Sequence, residues 1–443
     1  MELPVAFIEQ IKALLPNEHE AFFKAMDEPS PVSVRLNDKV DFTPNYPQVP
    51  HCKNGYYLPN RPTFTLDPWF HAGVYYVQEA GSMFLEQMVR KYLGFSTGSK
   101  VLDLCAAPGG KSTHLASLLG DDSLLISNEV MPQRAHILAE NATKWGYGNM
   151  AVTNNRPADF GKLAGYFDLI LTDVPCSGEG MFRKDEKAIE DWSPAYVLEC
   201  AERQRSILTD VWPALKQDGL LIYSTCTFNK AENEDNIAWI AQELGAEILE
   251  SRHFYFHTDQ SEGLFMAALR KTGPTDTMRI KGERKKEKGG MSLSKYPCLG
   301  VENPLRNIDH WSIKEEKDLI YALPKAYEAD FALLDKHLRW LKKGIGIATL
   351  KGKNQTPHID LALSRHINKE AFTPYELDLP TALHYLKGES ITLPDAPIGY
   401  LLLTFKGVPM GWGKNIGNRC NNLYPDAWRI RMNIPDTLCT LPF

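Results

Sequence analysis

Between residues 100 and 226 the chain alternates short apolar runs with amphipathic stretches, and few folds accept that rhythm. KVLDLCAA (100–107), SLLISNEV (123–130), MAVTNN (150–155), FDLILTDV (167–174) and GLLIYSTC (219–226) read as strands. STHLASLLG (112–120), MPQRAHILAENATKWG (131–146) and ECAERQRSILTDVWPAL (199–215) carry apolar residues at helical spacing. Strands apolar on both faces, separated by helices, predict a largely parallel, doubly wound α/β sheet. Ligands of such a sheet bind beyond the carboxyl ends of its strands. Every chemically notable residue below lies at such an end.

A chain of 443 residues exceeds one typical core, so several domains are expected. The reading divides it into an N-terminal unit (1–75), an α/β core (76–272), a linker (273–295), a helix-rich intermediate unit (296–380) and a compact β-rich module (381–443). The first unit contains a short helical pattern and the Pro-rich stretch PSPVSVRLNDKVDFTPNYPQVP. The core opens with Met83, Phe84, Met88, Val89 and Leu93 at helical spacing. Residues 271–290 carry seven Lys/Arg against three Asp/Glu and no apolar period, which marks a solvated linker or an RNA-touching one.

Apolar content of 43% and net charge of −6 describe a globular protein without a uniformly basic coat. Nucleic acid stays open as a partner, because local charge matters more than the sum. No 18-residue uncharged apolar run is present, so no membrane span is expected. MELPVAFIEQIKALL lacks the basic start of a signal peptide. The eight cysteines show no CxxC pair and no zinc spacing. No metal is therefore expected, and a reducing cytoplasm is the simplest setting. No heptad run is seen, so a monomer is expected.

DLCAAPGGKSTHL follows the first strand and opens a helix. Gly109 and Gly110 permit a sharp turn and close backbone approach to a ligand, and the helix start beyond favours an anionic group. The Walker pattern needs Gly where Cys105 stands, and GxGxxG is absent. S-adenosylmethionine remains, with Glu129, twenty residues past Gly109, placed to hold its ribose hydroxyls. A tight turn beside a surface acid is the plainer alternative. Asn154 and Asn155 end the third strand, as a plain turn or as adenine contacts.

DVPCSGEG (173–180) and YSTCTFN (223–229) each deliver a thiol at a strand end. Carbon 5 of a pyrimidine is a poor nucleophile until a thiolate adds to carbon 6. That chemistry wants a thiol, a group bonding the ring, and a proton acceptor. Asp173, Cys176, Cys226 and Lys111 are of those types, and the lysine is expected to favour thiolate. A lone strand-end Cys is more often a small buried hydrophobe, the reading kept for Cys105, Cys200, Cys298, Cys420 and Cys439.

DLCAAPGGKS, DVPCSGEGMFRKD and YSTCTFNKAENE, in that order, resemble the Sun/Nop family of RNA (cytosine-carbon-5) methyltransferases. The resemblance implies a Rossmann-like, S-adenosylmethionine-dependent core methylating cytosine in RNA, with Cys226 as nucleophile and Cys176 assisting product release. It assigns Cys105, Ala106, Ala107, Pro108, Gly109, Gly110, Lys111, Glu129 and Asp173 to the cofactor pocket, and sets Lys111 and Asp173 near the target base. SVRLN and YVQEAGS are similar to the family's N-terminal RNA-binding part. Relatives often carry an acid where this chain has Asn154-Asn155-Arg156; the adenine contact is assigned to Asn155.

FKGVPMGWGK and NLYPDAWRIR resemble the PUA-like domain of the bacterial ribosomal branch, which implies small-subunit (16S) ribosomal RNA or the small ribosomal subunit as partner. Lys406, Lys414, Arg419, Arg429 and Arg431 with Trp412, Tyr424 and Trp428 fit phosphate contact and base stacking, or the aromatics form the core of a small β domain. Two other functions compete with the leading one. A DNA cytosine methyltransferase would use the Pro-Cys thiol as nucleophile, and the STCTF thiol counts against it. A catalytically silent assembly factor has no need of Cys226, Cys176, Asp173 and Lys111 together.

Overall fold

The computed structural model describes residues 3–94, 98–275, 301, 303–352, 354–435 and 443. Most of the expected linker, with Cys298 and Cys439, lies outside the described residues. The N-terminal unit has two helices, Val5–Leu14 and His19–Met26, and an antiparallel sheet of β1 (Val32–Leu36), β2 (Gly55–Leu58) and β3 (Tyr75–Val77). Its strand order is β2-β1-β3, so the expected boundary at 75 falls inside a strand of this sheet.

The central sheet takes β4 (Lys100–Asp103), β5 (Leu124–Asn128), β6 (Met150–Thr153), β7 (Phe167–Asp173) and β8 (Leu215–Thr225) in parallel. β9 (Ala246–Phe254) and β10 (Leu264–Lys271) close one edge antiparallel, giving the order β6-β5-β4-β7-β8-β10-β9. The order turns back between β4 and β7, so a crevice opens there at the carboxyl ends. Alternate strand residues serve opposite faces. Leu102, Ile170 and Leu221 pack on one face, and Val101, Leu169, Leu171 and Ile222 on the other. Each such burial is worth about 2 kcal/mol, and together they fix the register.

The helix-rich expectation for the intermediate unit does not hold. EEKDLIYALP is a hairpin of β11 (Trp311–Glu316) and β12 (Leu319–Pro324), turning at Lys317, which has a positive φ of 56°. Ile320 and Ala322 bury into the core of the C-terminal half, while Tyr321 and Leu323 bury against the central sheet. A short run buried on both faces has no period that separates strand from helix. The first clear helix here is Glu328–Leu334. β13 (Trp340–Lys342) then pairs antiparallel with β6, adding an eighth strand to the central sheet. β14 (Ile345–Lys351) and β15 (Asn354–Pro357) complete a four-stranded sheet with β11 and β12.

The last sheet contains β16 (Pro374–Glu376), β17 (Gly399–Phe405), β18 (Val408–Asn415) and β19 (Cys420–Asn422). It begins before the expected boundary at 381, because β16 pairs parallel with β17. The helix Leu379–Leu386 lies between these two strands. Among the described residues, no helix is long and apolar enough to cross a membrane.

Two side chains, the buried Arg35 and the half-buried Lys39, bolt the units together. Arg35 of SVRLN donates to Gln78 Oε1 at 2.7 Å and to Thr113 Oγ1 at 2.6 Å, and stacks 4.4 Å from the Trp145 ring centre. SVRLN and YVQEAGS are thus interior joints; Arg35 is 1% exposed and does not face solvent. Lys39 Nζ donates to the carbonyls of Ala72 at 2.9 Å, Lys144 at 2.5 Å and Leu363 at 2.7 Å, one from each major part of the chain. Lys39→Met keeps the stem but leaves three carbonyls unpaired. It is expected to lower stability by roughly 3 kcal/mol, read as a fall in Cm in urea unfolding.

Candidate active site

The cofactor loop leaves β4 after Asp103 and enters the helix Gly110–Leu119. Gly109 has φ 116°, a left-handed value favouring glycine, and an added Cβ would stand 3.2 Å from Leu138. The helix Pro132–Trp145 clamps this loop. Arg134 Nη2 donates to Ala107 O and Asn141 Nδ2 to Pro108 O, both at 2.8 Å. Asp103 is fully buried and accepts from Ser112 Oγ at 2.6 Å. Burial pushes its carboxyl up to about 7, the Ser112 bond opposes this, and the Asp173 charge adds to it.

Glu129 follows β5 and is 3% exposed. One oxygen accepts from Met131 N at 2.9 Å, and the other has a long contact, 3.5 Å, to Arg134 Nη1. That second oxygen keeps capacity for a hydroxyl donor. A glycine cradle with a buried acid on the next strand fits the methionine and ribose parts of S-adenosylmethionine. Asn128, which sequence reasoning passed over, ties three strand ends. It donates to Leu104 O and Asn155 O, and accepts from Thr153 Oγ1 and Asn155 N. Asn155, the expected adenine contact, also anchors a distant segment. Its amide donates to Arg339 O at 3.2 Å and accepts from Arg339 N at 3.0 Å. Each end of the amide thus bonds the approach to β13, a partner 184 residues away that no local pattern announces, and each keeps one further hydrogen-bonding site.

Lys111 and Asp173 meet at 2.8 Å, and Ser224 Oγ donates to Asp173 at 2.5 Å. Asp173 and Ser224 face each other across the β7–β8 pairing, which sets that contact. Burial disfavours the Lys111 ammonium. The charge and hydrogen bond of Asp173, with the charge of Asp103, outweigh burial and raise its pKa. Lys111 therefore stays cationic, paired with Asp173.

Beyond this pair, Cys176 Sγ and Cys226 Sγ are 3.1 Å apart, and Cys226 N donates to Cys176 Sγ at 3.3 Å. The expectation that lysine would favour thiolate fails for Cys176. Its hydrogen bond to Cys226 is the largest influence, followed by burial, and both push the thiol well above its ordinary value.

Two buried carboxylates that sequence reasoning missed hold these thiols. Glu179 accepts from Phe228 N at 2.8 Å, Asn229 N at 3.0 Å, Trp192 Nε1 at 3.0 Å and Gln10 Nε2 at 3.0 Å. Glu232 accepts from Ser177 N at 3.0 Å, Gln204 Nε2 at 2.7 Å and Asn229 Nδ2 at 2.8 Å. Ser177 and Thr227, each directly after a cysteine, share a hydrogen bond of 3.0 Å. The polar flanks SGEG and NKAENE were the only signal, since the donors come from five separated stretches.

Cys200 and Cys420 sit in the interior, as the plain reading expected, whereas Cys105 is half-buried in the cofactor loop. Trp412 (1% exposed) and Tyr424 (4%) are core residues, which removes them from the stacking set. Lys406, Lys414, Arg419, Arg429 and Arg431 are exposed, and Trp428 is half-buried. Cys52, Glu86 and His114 gather a sulfur, an oxygen and a nitrogen within 4.8 Å of one another from three elements, a meeting that spacing rules could not reveal. There His114 Nε2 is 3.3 Å from Glu86 Oε2.

The sheet order, the glycine cradle with its acid and the carboxyl-end crevice define an S-adenosylmethionine-dependent methyltransferase. Residues 91–270 match the family model for 16S rRNA methyltransferase RsmB/F, residues 3–80 the N-terminal domain of 16S rRNA methyltransferase RsmF, and residues 372–430 the methyltransferase RsmF PUA domain. The chain belongs to the RsmB/F family of 16S rRNA methyltransferases. It is 29% identical to ribosomal RNA small subunit methyltransferase F of Aliivibrio salmonicida, over 96% of this chain and 97% of that protein. Among solved structures, it resembles a methyltransferase homolog protein from Pyrococcus horikoshii with a TM-score of 0.51 and 26% identity, covering 60% of this chain and 94% of that one. NSun6 from the same organism, solved with SFG, shares the fold at a TM-score of 0.53 and 19% identity, over 61% and 98% of the two chains.

Glu179→Ala would strand the Trp192, Asn229 and Phe228 donors in the interior. It is expected to destabilise the protein by about 3 kcal/mol. The same change should loosen both cysteine loops, read as faster alkylation of Cys176 and Cys226 in the native state.

Proposed function

We propose that this protein methylates carbon 5 of a cytosine in small-subunit ribosomal RNA, through a transient bond between Cys226 and carbon 6 of the base. The observation that carries the reading is the pair of thiols 3.1 Å apart beside the Lys111–Asp173–Ser224 row. Carbon 6 is shielded in a stacked base, so the cytosine is flipped into the crevice. Lys111 and Asp173 then bond its polar edge, with Ser224 fixing the carboxylate. Cys226 adds to carbon 6, which makes carbon 5 electron-rich. S-adenosylmethionine, when bound, supplies an electrophilic methyl group. Loss of the carbon 5 proton and departure of Cys226 restore the ring, and Cys176 assists that departure.

The cofactor is held by Cys105 to Lys111, with Glu129 on the ribose and Asp173 at the inner end. Among these, the Gly109 turn is the most demanding. Gly109→Ala is expected to weaken S-adenosylmethionine binding by about tenfold, or 1.4 kcal/mol, in calorimetric titration. The exposed cations of the C-terminal sheet are read as phosphate contacts, and the protein as a cytoplasmic monomer acting on RNA or on the small subunit. Charge reversal of Arg429 and Arg431 together should weaken RNA binding and flatten the dependence of log K on log salt by about 2.

Mapping of 5-methylcytosine on ribosomal RNA and on small subunits, with labelled cofactor, tests the reaction directly. Cys226→Ala is expected to lower transfer at least a thousandfold, about 4 kcal/mol of barrier. Cys176→Ala should accumulate a covalent RNA–protein adduct on denaturing gels. Adducts trapped by Cys226→Ala and absent from Cys176→Ala would reverse the two roles. No labelling of either RNA form would identify a silent binding protein.

A further inference from the structure

Two thiols 3.1 Å apart share a single hydrogen between their sulfurs, so one of them donates. Three features decide the direction. Cys176 Sγ already accepts the Cys226 N–H, which leaves its own hydrogen to point at Cys226 Sγ. The Lys111 ammonium is favoured in part by Cys226, so the cation lies on the Cys226 side of the pair. Glu232, fully buried, bonds Ser177 N and opposes negative charge on Cys176.

The contacts of Glu232 favour its ionised form. Ser177 N, Gln204 Nε2 and Asn229 Nδ2 are all donors, so a carboxyl hydrogen would find no acceptor among them. Burial raises this carboxyl, and the Ser177, Asn229 and Gln204 donors work against that rise. Its grip on Cys176 is doubled through Gln204, whose Nε2 also donates to Pro175 O at 3.0 Å. The groups around the thiol pair are therefore Glu232, the Tyr223 hydroxyl, which lies 2.6 Å from Glu232 O and 2.8 Å from Gln204 Oε1, and Lys111 with Asp173 and Asp103 behind it.

We infer that Glu232 is a positioning residue that keeps Cys176 as a neutral S–H donor aimed at the Cys226 sulfur, and that this donor is how Cys176 promotes release. The inference rests on the covalent chemistry proposed above. In the release step the carbon 5–hydrogen bond breaks and its proton passes to water. That electron pair forms the carbon 5–carbon 6 double bond. The carbon 6–sulfur bond breaks, its pair stays on Cys226, and the Cys176 S–H bonds to the emerging thiolate. Cys176 thus acts as a donor and not as the base that takes the carbon 5 proton.

A serine hydroxyl can donate in the same place but is far too weak an acid to serve as an ionised base at neutral pH. Adduct decay should therefore be at least about tenfold faster in Cys176→Ser than in Cys176→Ala. In a Cys226→Ala background, iodoacetamide alkylation of Cys176 followed against pH should shift its midpoint down by about one unit when Glu232→Gln is added. S-adenosylmethionine titration of each variant reports that the fold is kept. Adducts as persistent in Cys176→Ser as in Cys176→Ala, or an unmoved midpoint, would overturn the donor role while leaving the covalent reaction intact. Full methylation by Cys226→Ala would sink both. If Glu232→Gln does not fold, the serine comparison decides the matter alone.

Discussion

Two carboxylates with no access to water, Glu179 and Glu232, are what the arrangement of this site depends on. Each would be costly to bury alone, and each is offset by at least three hydrogen-bond donors. Those donors come from the Pro175–Ser177 turn, the stretch after Cys226, Trp192, the helix Pro194–Val211 and the first helix of the chain. Satisfying the charges therefore forces the two cysteine loops into one register. A loop held by apolar packing alone could shift by a rotamer; a loop whose N–H groups neutralise a buried charge cannot do so cheaply.

The same economy recurs where the units meet. Arg35 and Lys39 add directional bonds to units that already share an apolar core, so the N-terminal sheet, the central sheet and the C-terminal half pack in one arrangement. β13 extends the central sheet from the far side and uses Asn155 as its anchor. A residue at the end of β6, beside the cofactor loop, thereby also serves the architecture, and the cofactor crevice and the docking of β13 share a strand end.

Much of the core was legible because its physics is local. Runs such as VLDL and LILT are apolar on both faces, and only a doubly covered parallel strand accepts that pattern without exposing half of it. The glycine turn at 109 was legible because a left-handed φ leaves glycine as the ready choice. The hairpin at 311–324 was not, because β12 is buried on both faces by partners from two distant segments, so its pattern matches a buried helix equally well. Trp412 and Tyr424 resembled stacking residues until their burial was seen, since an aromatic side chain looks the same in a core and on an RNA surface.

The sequence by itself determined the strand-and-helix alternation, the cofactor turn and the placing of Lys111, Asp173, Cys176 and Cys226 at strand ends. Spacing along the chain is enough for that, because a strand end is a local property. Only the tertiary structure decided which sulfur is bonded to which, that Lys111 spends its charge on Asp173, and that Glu179 and Glu232 bind the two loops together. Those facts depend on contacts of 2.5 to 3.3 Å between residues about fifty or more apart in sequence, and the strength of a hydrogen bond or ion pair depends on that distance, on alignment and on burial.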